Sequence, residues 1–304
     1  MYIPEDFYKK IIGAFGEDGE KWLETLEDKV EIYIRKWNLV NEGAVPNLSY
    51  NYVLKVRNQQ GVPYILKLGV PNFDFRNEIQ TIKSYAGVGC AALINADPDE
   101  GVMLLEQLVP GKMLSDIEDE ELVLDQYIKV WQSIRRPLLT NENVPLISNW
   151  ASALKKYQEK HQRDDGPIPN SFISYAYDCF EEIFNSSIGP ELLHGDLHHE
   201  NILYSDTRGW LAIDPKGVGG DTYFDFTSFL FNHLFSKADP AGLLEYRVNT
   251  LCTRLDLNRE RFLKAAVAMA TLSACWSIED HDPYWEETYQ CAKWFVKFIS
   301  QKGI

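Results

Sequence analysis

The sequence is poor in paired cysteine: Cys90, Cys179, Cys252, Cys275 and Cys291 are scattered over 304 residues, and no two stand as C-x-x-C. An odd, dispersed set suggests neither a disulfide framework nor a zinc site, so reduced and buried thiols are expected. Basic residues are outnumbered, 30 Lys and Arg against 45 Asp and Glu, for a formal net charge of −15. That balance argues against non-specific binding to nucleic acid or to an anionic membrane, while it suits a cationic small-molecule partner or plain solubility. No apolar run reads as long enough to span a membrane, and Met1 to Asp6 lacks the basic segment and apolar stretch of a leader, so a cytoplasmic protein is expected. Internal repeats and low-complexity tracts are absent as well.

What is present is ample material for a core: 45% hydrophobic residues with eight Trp, enough for two lobes or one large domain. The most informative stretch is His194-Gly-Asp-Leu-His-His-Glu-Asn201. Asp196 and Asn201 stand as D-x-x-x-x-N, which lets one loop present a proton-accepting carboxylate beside a neutral metal-binding amide. Asp214 follows the apolar run Trp210 to Ile213, which reads as a strand delivering a second carboxylate. One amide and one carboxylate suit magnesium, a hard cation that keeps places for phosphate oxygens and water. By themselves, His194, His198 and His199 also admit a zinc hydrolase, although no further ligand stands at tight spacing.

The pattern H-G-D-L-H-x-x-N followed by Ile213-Asp-Pro resembles the aminoglycoside phosphotransferase group of kinase-like enzymes. With Leu104 to Gly111 upstream and Ala274 to Asp280 downstream, it is most similar to the streptomycin and hydroxyurea kinase family, a resemblance running from about Asn47 to about Asp282. The resemblance implies an α+β, bilobal protein-kinase-like fold. An antiparallel-sheet nucleotide-binding lobe would occupy 1–106, and a mainly helical catalytic and acceptor-binding lobe 107–304. It implies ATP and Mg2+, with Asp196 accepting or orienting the proton of the acceptor hydroxyl and Asn201 and Asp214 holding the metal. The acceptor would be a streptomycin-like aminoglycoside or hydroxyurea, the alternatives being a choline-like amine or a metabolic sugar. A catalytically dead scaffold of the same fold is disfavoured because Lys67, Asp196, Asn201 and Asp214 are all present. Glu200 departs from the family pattern, where a glycine is common, and would either meet a substrate cation or face solvent.

Along the chain, Phe7, Ile11 and Phe15, then Trp22, Leu26, Val30, Tyr33 and Trp37, mark two helices separated by Gly16 to Gly19. Alternation from Ser49 to Val56 and the run Pro63 to Leu68 read as strands. No G-x-G-x-x-G precedes them, so the protein-kinase form of the phosphate loop is absent; the resemblance puts Ser49 and Asn51 in that role. Lys67 in the second strand would hold the nucleotide phosphates, oriented by Glu78 in a helix begun at Pro71-Asn72, with Asp74 as the competing partner. Cys90 to Ile94 and Val102 to Glu106 form another hairpin, giving a five-stranded antiparallel sheet with one helix. The exposed backbone from Glu106 through Leu108 would read the adenine edge.

Beyond Gly111 helices are expected around Leu122 to Ile134, Trp150 to His161 and Phe172 to Phe184. Gly217 to Gly220 reads as a turn, Asp221 caps a helix containing Phe226, Phe229, Leu230 and Leu234, and Asp225 bonds backbone amides near the catalytic loop. A later helix bears Leu263, Val267, Ala270, Leu272 and Trp276 and ends in Glu279, Asp280 and Asp282. Acidic side chains at a helix C-terminus oppose its macrodipole, so these three are assigned to ammonium or guanidinium groups of the acceptor.

Overall fold

The computed structural model describes residues 3–139 and 143–301. Its chain forms two compact units, Met1–Lys112 with Leu203–Lys216, and Met113–Ile202 with Gly217–Ile304. The sequence-based boundary, between 106 and 107, differs from this division in falling before Lys112 and in sending no later segment back to the first unit.

Unit 1 begins with α1 (Glu5–Lys36), whose two helical stretches meet at Gly16, where the backbone leaves helical values (φ 54°, ψ −131°). Its apolar stripe of Phe7, Ile11, Trp22, Leu26, Val30 and Tyr33 is buried in a cluster with Tyr52, Leu54, Val56, Leu66 and Leu68. Each such side chain removed from water contributes roughly 1.5–3 kcal/mol before entropy is subtracted. Those partners belong to an antiparallel sheet of β1 (Leu39–Ala44), β2 (Asn51–Asn58), β3 (Pro63–Gly69), β4 (Leu93–Asp97) and β5 (Val102–Glu106), in the order β1-β2-β3-β5-β4. The five-stranded sheet matches the expectation, with two departures: Tyr50 lies outside the second strand and is exposed, and β4 begins at Leu93 and runs to Asp97, so Cys90 to Ala92 precede it. Between β3 and β4 runs α2 (Phe73–Tyr85), started by the Asn72 side chain accepting from Phe75 N at 2.8 Å and stopped at Ala86, whose φ is 52°. A small sheet of β6 (Pro110–Met113), β8 (Ile202–Ser205) and β9 (Gly209–Ala212) completes this unit, apart from Met113 and Ile202 at strand ends.

Unit 2 is mainly helical: α3 (Glu120–Ile134), α4 (Ile147–Lys160), α5 (Asn170–Ser186), α6 (Thr227–Phe231), α7 (Pro240–Arg254), α8 (Arg259–Glu279) and α9 (Trp285–Ser300). The central α8 touches α4, α5, α6, α7 and α9 and buries Phe262, Leu263, Val267, Ala270 and Leu272. Its 21 residues correct the reading that no stretch is long enough to span a membrane. By length and composition α8 would suffice, and 67% of its most apolar window is buried inside the protein, the pattern of a core helix.

Two further expectations are corrected here. Gly217 to Gly220 is not simply a turn: Val218–Gly220 forms β10, antiparallel to β7 (Glu191–Leu193). A Cβ on Gly219 would lie 2.6 Å from a Leu138 methyl, and one on Gly220 would lie 2.6 Å from Ile147, so these glycines serve close approach. The helix opened by Asp221 is a 3-10 turn, Thr222–Phe226, running into the five residues of α6, and Leu234 is buried beyond its end. All five cysteines are buried and unpaired.

Candidate active site

In unit 1 the site is built around Lys67. Strand β3 carries it inward to 4% exposure, where its Nζ donates to Glu78 Oε1 at 2.6 Å and to Asp214 Oδ1 at 3.1 Å. Glu78, rather than Asp74, is therefore its helical partner. Burial opposes the charge on Lys67, and the Asp214 and Glu78 carboxylates outweigh it, raising the pKa above its ordinary value. Asp214 emerges after β9 at φ 54°, an uncommon conformation for a residue with a side chain. The Asn77 amide donates to Lys216 O at 2.5 Å, so α2 reaches Lys67 through one residue and the backbone after Asp214 through its neighbour.

The other residues expected to meet the nucleotide also fall in unit 1. Ser49 is exposed in the connection between β1 and β2, and Asn51 opens β2 opposite Gly69. Glu106 ends β5, its side chain accepting from Ala92 N at 3.0 Å and paired with Arg208. Leu108 is buried with Ala91 and Leu211, so its side chain is structural and any recognition here falls to backbone.

In unit 2 the loop carrying Asp196 is braced from beneath by Asp225. The Asp225 carboxylate accepts from Gly195 N at 2.8 Å and His194 N at 3.4 Å, and β7 and β10 pair beside it. Burial pushes Asp225 up to about 6, against the two amides that favour its ionised form. Inside the loop, Asp196 N donates to His194 Nδ1 at 3.2 Å, Asn201 N to His198 O at 3.0 Å, and the Asn201 amide to Asp196 O at 2.9 Å. The Asn201 side-chain N–H is thereby used within the loop. By donor type alone, the amide oxygen of Asn201 in unit 2 and the carboxylate of Asp214 in unit 1 are the kind of oxygen ligands that magnesium prefers.

The loop histidines have partners inside and outside the loop. His199, 3% exposed, stacks on Phe229 with centroids 4.5 Å apart, and Arg247 Nη2 lies 3.4 Å from its Nε2. Burial and Arg247 hold its pKa down at about 3. Among the described residues no group of three or more His, Cys, Asp or Glu is arranged to hold a metal ion, which leaves the zinc-hydrolase reading without a site.

Glu200 is partly buried, its side chain 34% exposed. It lies between His198 Nδ1, at 2.9 Å, and His233 Nε2, and the two imidazoles satisfy its carboxylate. Burial alone would raise its pKa, but the bond from His198 and the neighbouring His233 bring it down to about 2. These two partners give Glu200 an occupation besides the substrate cation expected of it. Glu279 and Asp280 are exposed at the end of α8, whereas Asp282 Oδ1 accepts from Tyr284 N at 2.9 Å. Asp282 also lines a cavity of about 300 Å³ with Ile278, His281, Pro283 and Trp285.

Sequence reasoning missed Asn77, His233 and Arg247. Arg247, 1% exposed, binds Glu120 at 2.6 Å and the carbonyls of Phe229, Leu230 and Asn232 at 3.1, 3.0 and 2.8 Å. Its signal was available: a lone cation between Leu244, Val248 and Leu251 on the buried face of α7. His233 carries no local signal, since its partner lies 33 residues away.

Comparison with known proteins places these features in context. The family described as aminoglycoside/hydroxyurea antibiotic resistance kinase matches residues 36–281. Streptomycin 6-kinase of Streptomyces glaucescens is 27% identical over 91% of each chain. Streptomycin 3''-kinase of Klebsiella pneumoniae is 42% identical over 81% of this chain and 91% of its own. Hydroxyurea phosphotransferase of Kitasatospora aureofaciens is 26% identical over 91% of this chain and 81% of its own. Among solved structures, an aminoglycoside phosphotransferase in ternary complex with ADP and hygromycin B superposes with a TM-score of 0.62, at 13% identity, over 90% of this chain and 99% of that one. Choline kinase LicA from Streptococcus pneumoniae gives 0.61, at 13% identity, over the same shares, and at such identity both likenesses concern the fold.

Proposed function

The chain belongs to the aminoglycoside/hydroxyurea antibiotic resistance kinase family, and from that premise we propose that it transfers the γ-phosphoryl group of ATP to a hydroxyl of a streptomycin-like aminoglycoside or of hydroxyurea. The observation that carries the proposal is the buried Lys67 ammonium, held charged between Glu78 and Asp214 within one unit. A desolvated cation fixed in this way is suited to positioning nucleotide phosphates.

Asp214 and Asn201 would hold magnesium, which when bound neutralises charge on the phosphate oxygens. Asp196 would accept or orient the proton of the acceptor hydroxyl. Since the transition state of phosphoryl transfer is loose, orientation by Asp196 accomplishes more than basicity would, and an ordinary carboxylate suffices. Ser49, Asn51 and the backbone of Glu106 to Leu108 would contact the nucleotide. Glu279 and Asp280 would attract a cationic acceptor, with Asp282 shaping the adjoining surface.

The test is a coupled ADP-release assay with streptomycin, hydroxyurea, choline and simple sugars as acceptors. Stimulation by streptomycin or hydroxyurea supports the proposal. Stimulation only by choline or a sugar would keep the kinase and replace the acceptor, and ADP release indifferent to every acceptor would contradict it.

A further inference from the structure

Glu200 stands beside Asn201 in the loop and has a partner from outside it. His233 lies in the turn after α6, where its Nε2 meets Glu200 Oε1. Glu200 Oε2 in turn lies 2.9 Å from His198 Nδ1, and the opposite nitrogen of that ring, Nε2, lies 4.0 Å from Asp196 Oδ1. The His233 ring also packs edge-on against His199, with centroids 5.5 Å apart and planes at 89°. Two neighbours in one loop are thereby touched by one residue of another segment.

The backbone adds an independent observation. His233 is held at φ 56°, in the left-handed region that side-chain-bearing residues adopt at some cost. Such a conformation persists where surrounding contacts over-determine it, and here those contacts are Glu200 and His199. An ionised carboxylate only accepts hydrogen bonds, so His233 Nε2 is a donor to it, while His198 Nδ1 meets both the Glu200 carboxylate and, at 3.3 Å, the Glu200 N–H. Fixing Nδ1 of His198 fixes the direction of its Nε2, as outer partners do for functional histidines generally.

We propose that His233 is a positioning residue for the phosphoryl-transfer loop: it holds Glu200, Glu200 holds the His198 ring, and that ring faces the Asp196 carboxylate. The inference rests on the proposed kinase reading for its kinetic consequence and on the ligand-free protein for its structural one. It gives Glu200 a role unrelated to acceptor charge.

The experiment uses His233→Asn, which tolerates a positive φ but cannot reach Glu200, His233→Gln, whose longer amide can donate to it, and Glu200→Gln. With the best acceptor, His233→Asn and Glu200→Gln should each lower kcat about tenfold with the KM for ATP changed less than about twofold, and the double variant should be no worse than the poorer single. His233→Gln should recover most of the lost kcat. Unchanged kcat in His233→Asn, or losses that multiply in the double variant, would overturn the inference. A second arm needs no activity: 15N spectra of histidine-labelled, ligand-free protein should show the ring nitrogens of both His198 and His233 moving in Glu200→Gln. Immobility of either ring would overturn the inference even if no acceptor were ever phosphorylated, whereas coupled movement in an inactive protein would leave the strut standing and the kinase reading fallen.

Discussion

Asp225 shows how a single residue can be both brace and liability. Its carboxylate collects the amides of His194 and Gly195, yet burial lifts its pKa to about 6. The unfolded chain releases the same proton near pH 4, so the protonated form is favoured by folding. This contribution to stability is fully present below about pH 4 and is lost as pH rises through about 6, by up to roughly 3 kcal/mol. The difference in unfolding free energy between the wild type and Asp225→Asn, measured by urea denaturation, should therefore fall across that window; a difference independent of pH would contradict the assignment. At this scale, legibility in the sequence followed distance. The D-x-x-x-x-N spacing of Asp196 and Asn201 lies within one loop, and Lys67 and Glu78 sit on a strand and the helix that follows it, so residue types and local elements suffice to pair them. The His233 partner of Glu200 and the three carbonyls gathered by Arg247 are set by tertiary packing, which no local periodicity encodes.

At the level of elements, strands and helices with apolar periodicity or a short apolar run were readable, as α1 and β2 show for periodicity and β3 for a run. Glycine was the source of error. Gly219 and Gly220 look like turn residues because composition records only the missing side chain, while their strand role arises from Leu138, Leu146 and Ile147 pressing on the backbone. Gly101, between β4 and β5, combines both demands: φ is 67°, and a Cβ would stand 2.2 Å from Gly69 O, whose own residue ends β3. That carbonyl cannot yield as a flexible side chain does. Gly101→Ala should cost at least roughly 2 kcal/mol through strain and overpacking. Thermal and urea unfolding would check it, and a loss under about 0.5 kcal/mol, the range of a neutral surface change, would show that the hairpin relaxes freely.

For the molecule as a whole, the net charge of −15 and the exposed Glu279 and Asp280 bear on which acceptor is taken. Each exposed carboxylate contributes roughly 0.2–1 kcal/mol toward a cation, weakening as salt screens it. A cationic acceptor should show a KM that climbs with ionic strength, and the double change Glu279→Gln with Asp280→Asn should raise KM while leaving basal ATP hydrolysis intact. A cationic acceptor indifferent to both would make the cluster an ordinary solvated helix end. The two-lobe character was legible because strands and helices are segregated along the chain. The return of Leu203–Lys216 to unit 1 was not, since it depends on β9 pairing with β8 and β8 with a strand about ninety residues earlier. The central claim, that Asp196 directs a phosphoryl group from ATP to an acceptor hydroxyl, is tested most directly by mass spectrometry of streptomycin and hydroxyurea after incubation with Mg-ATP and either wild type or Asp196→Asn. The account predicts a singly phosphorylated product from the wild type and a rate reduced by at least about a thousandfold in the variant, with ATP affinity nearly unchanged. Product formation by Asp196→Asn within tenfold of wild type, or no phosphorylated acceptor from the wild type, would contradict it.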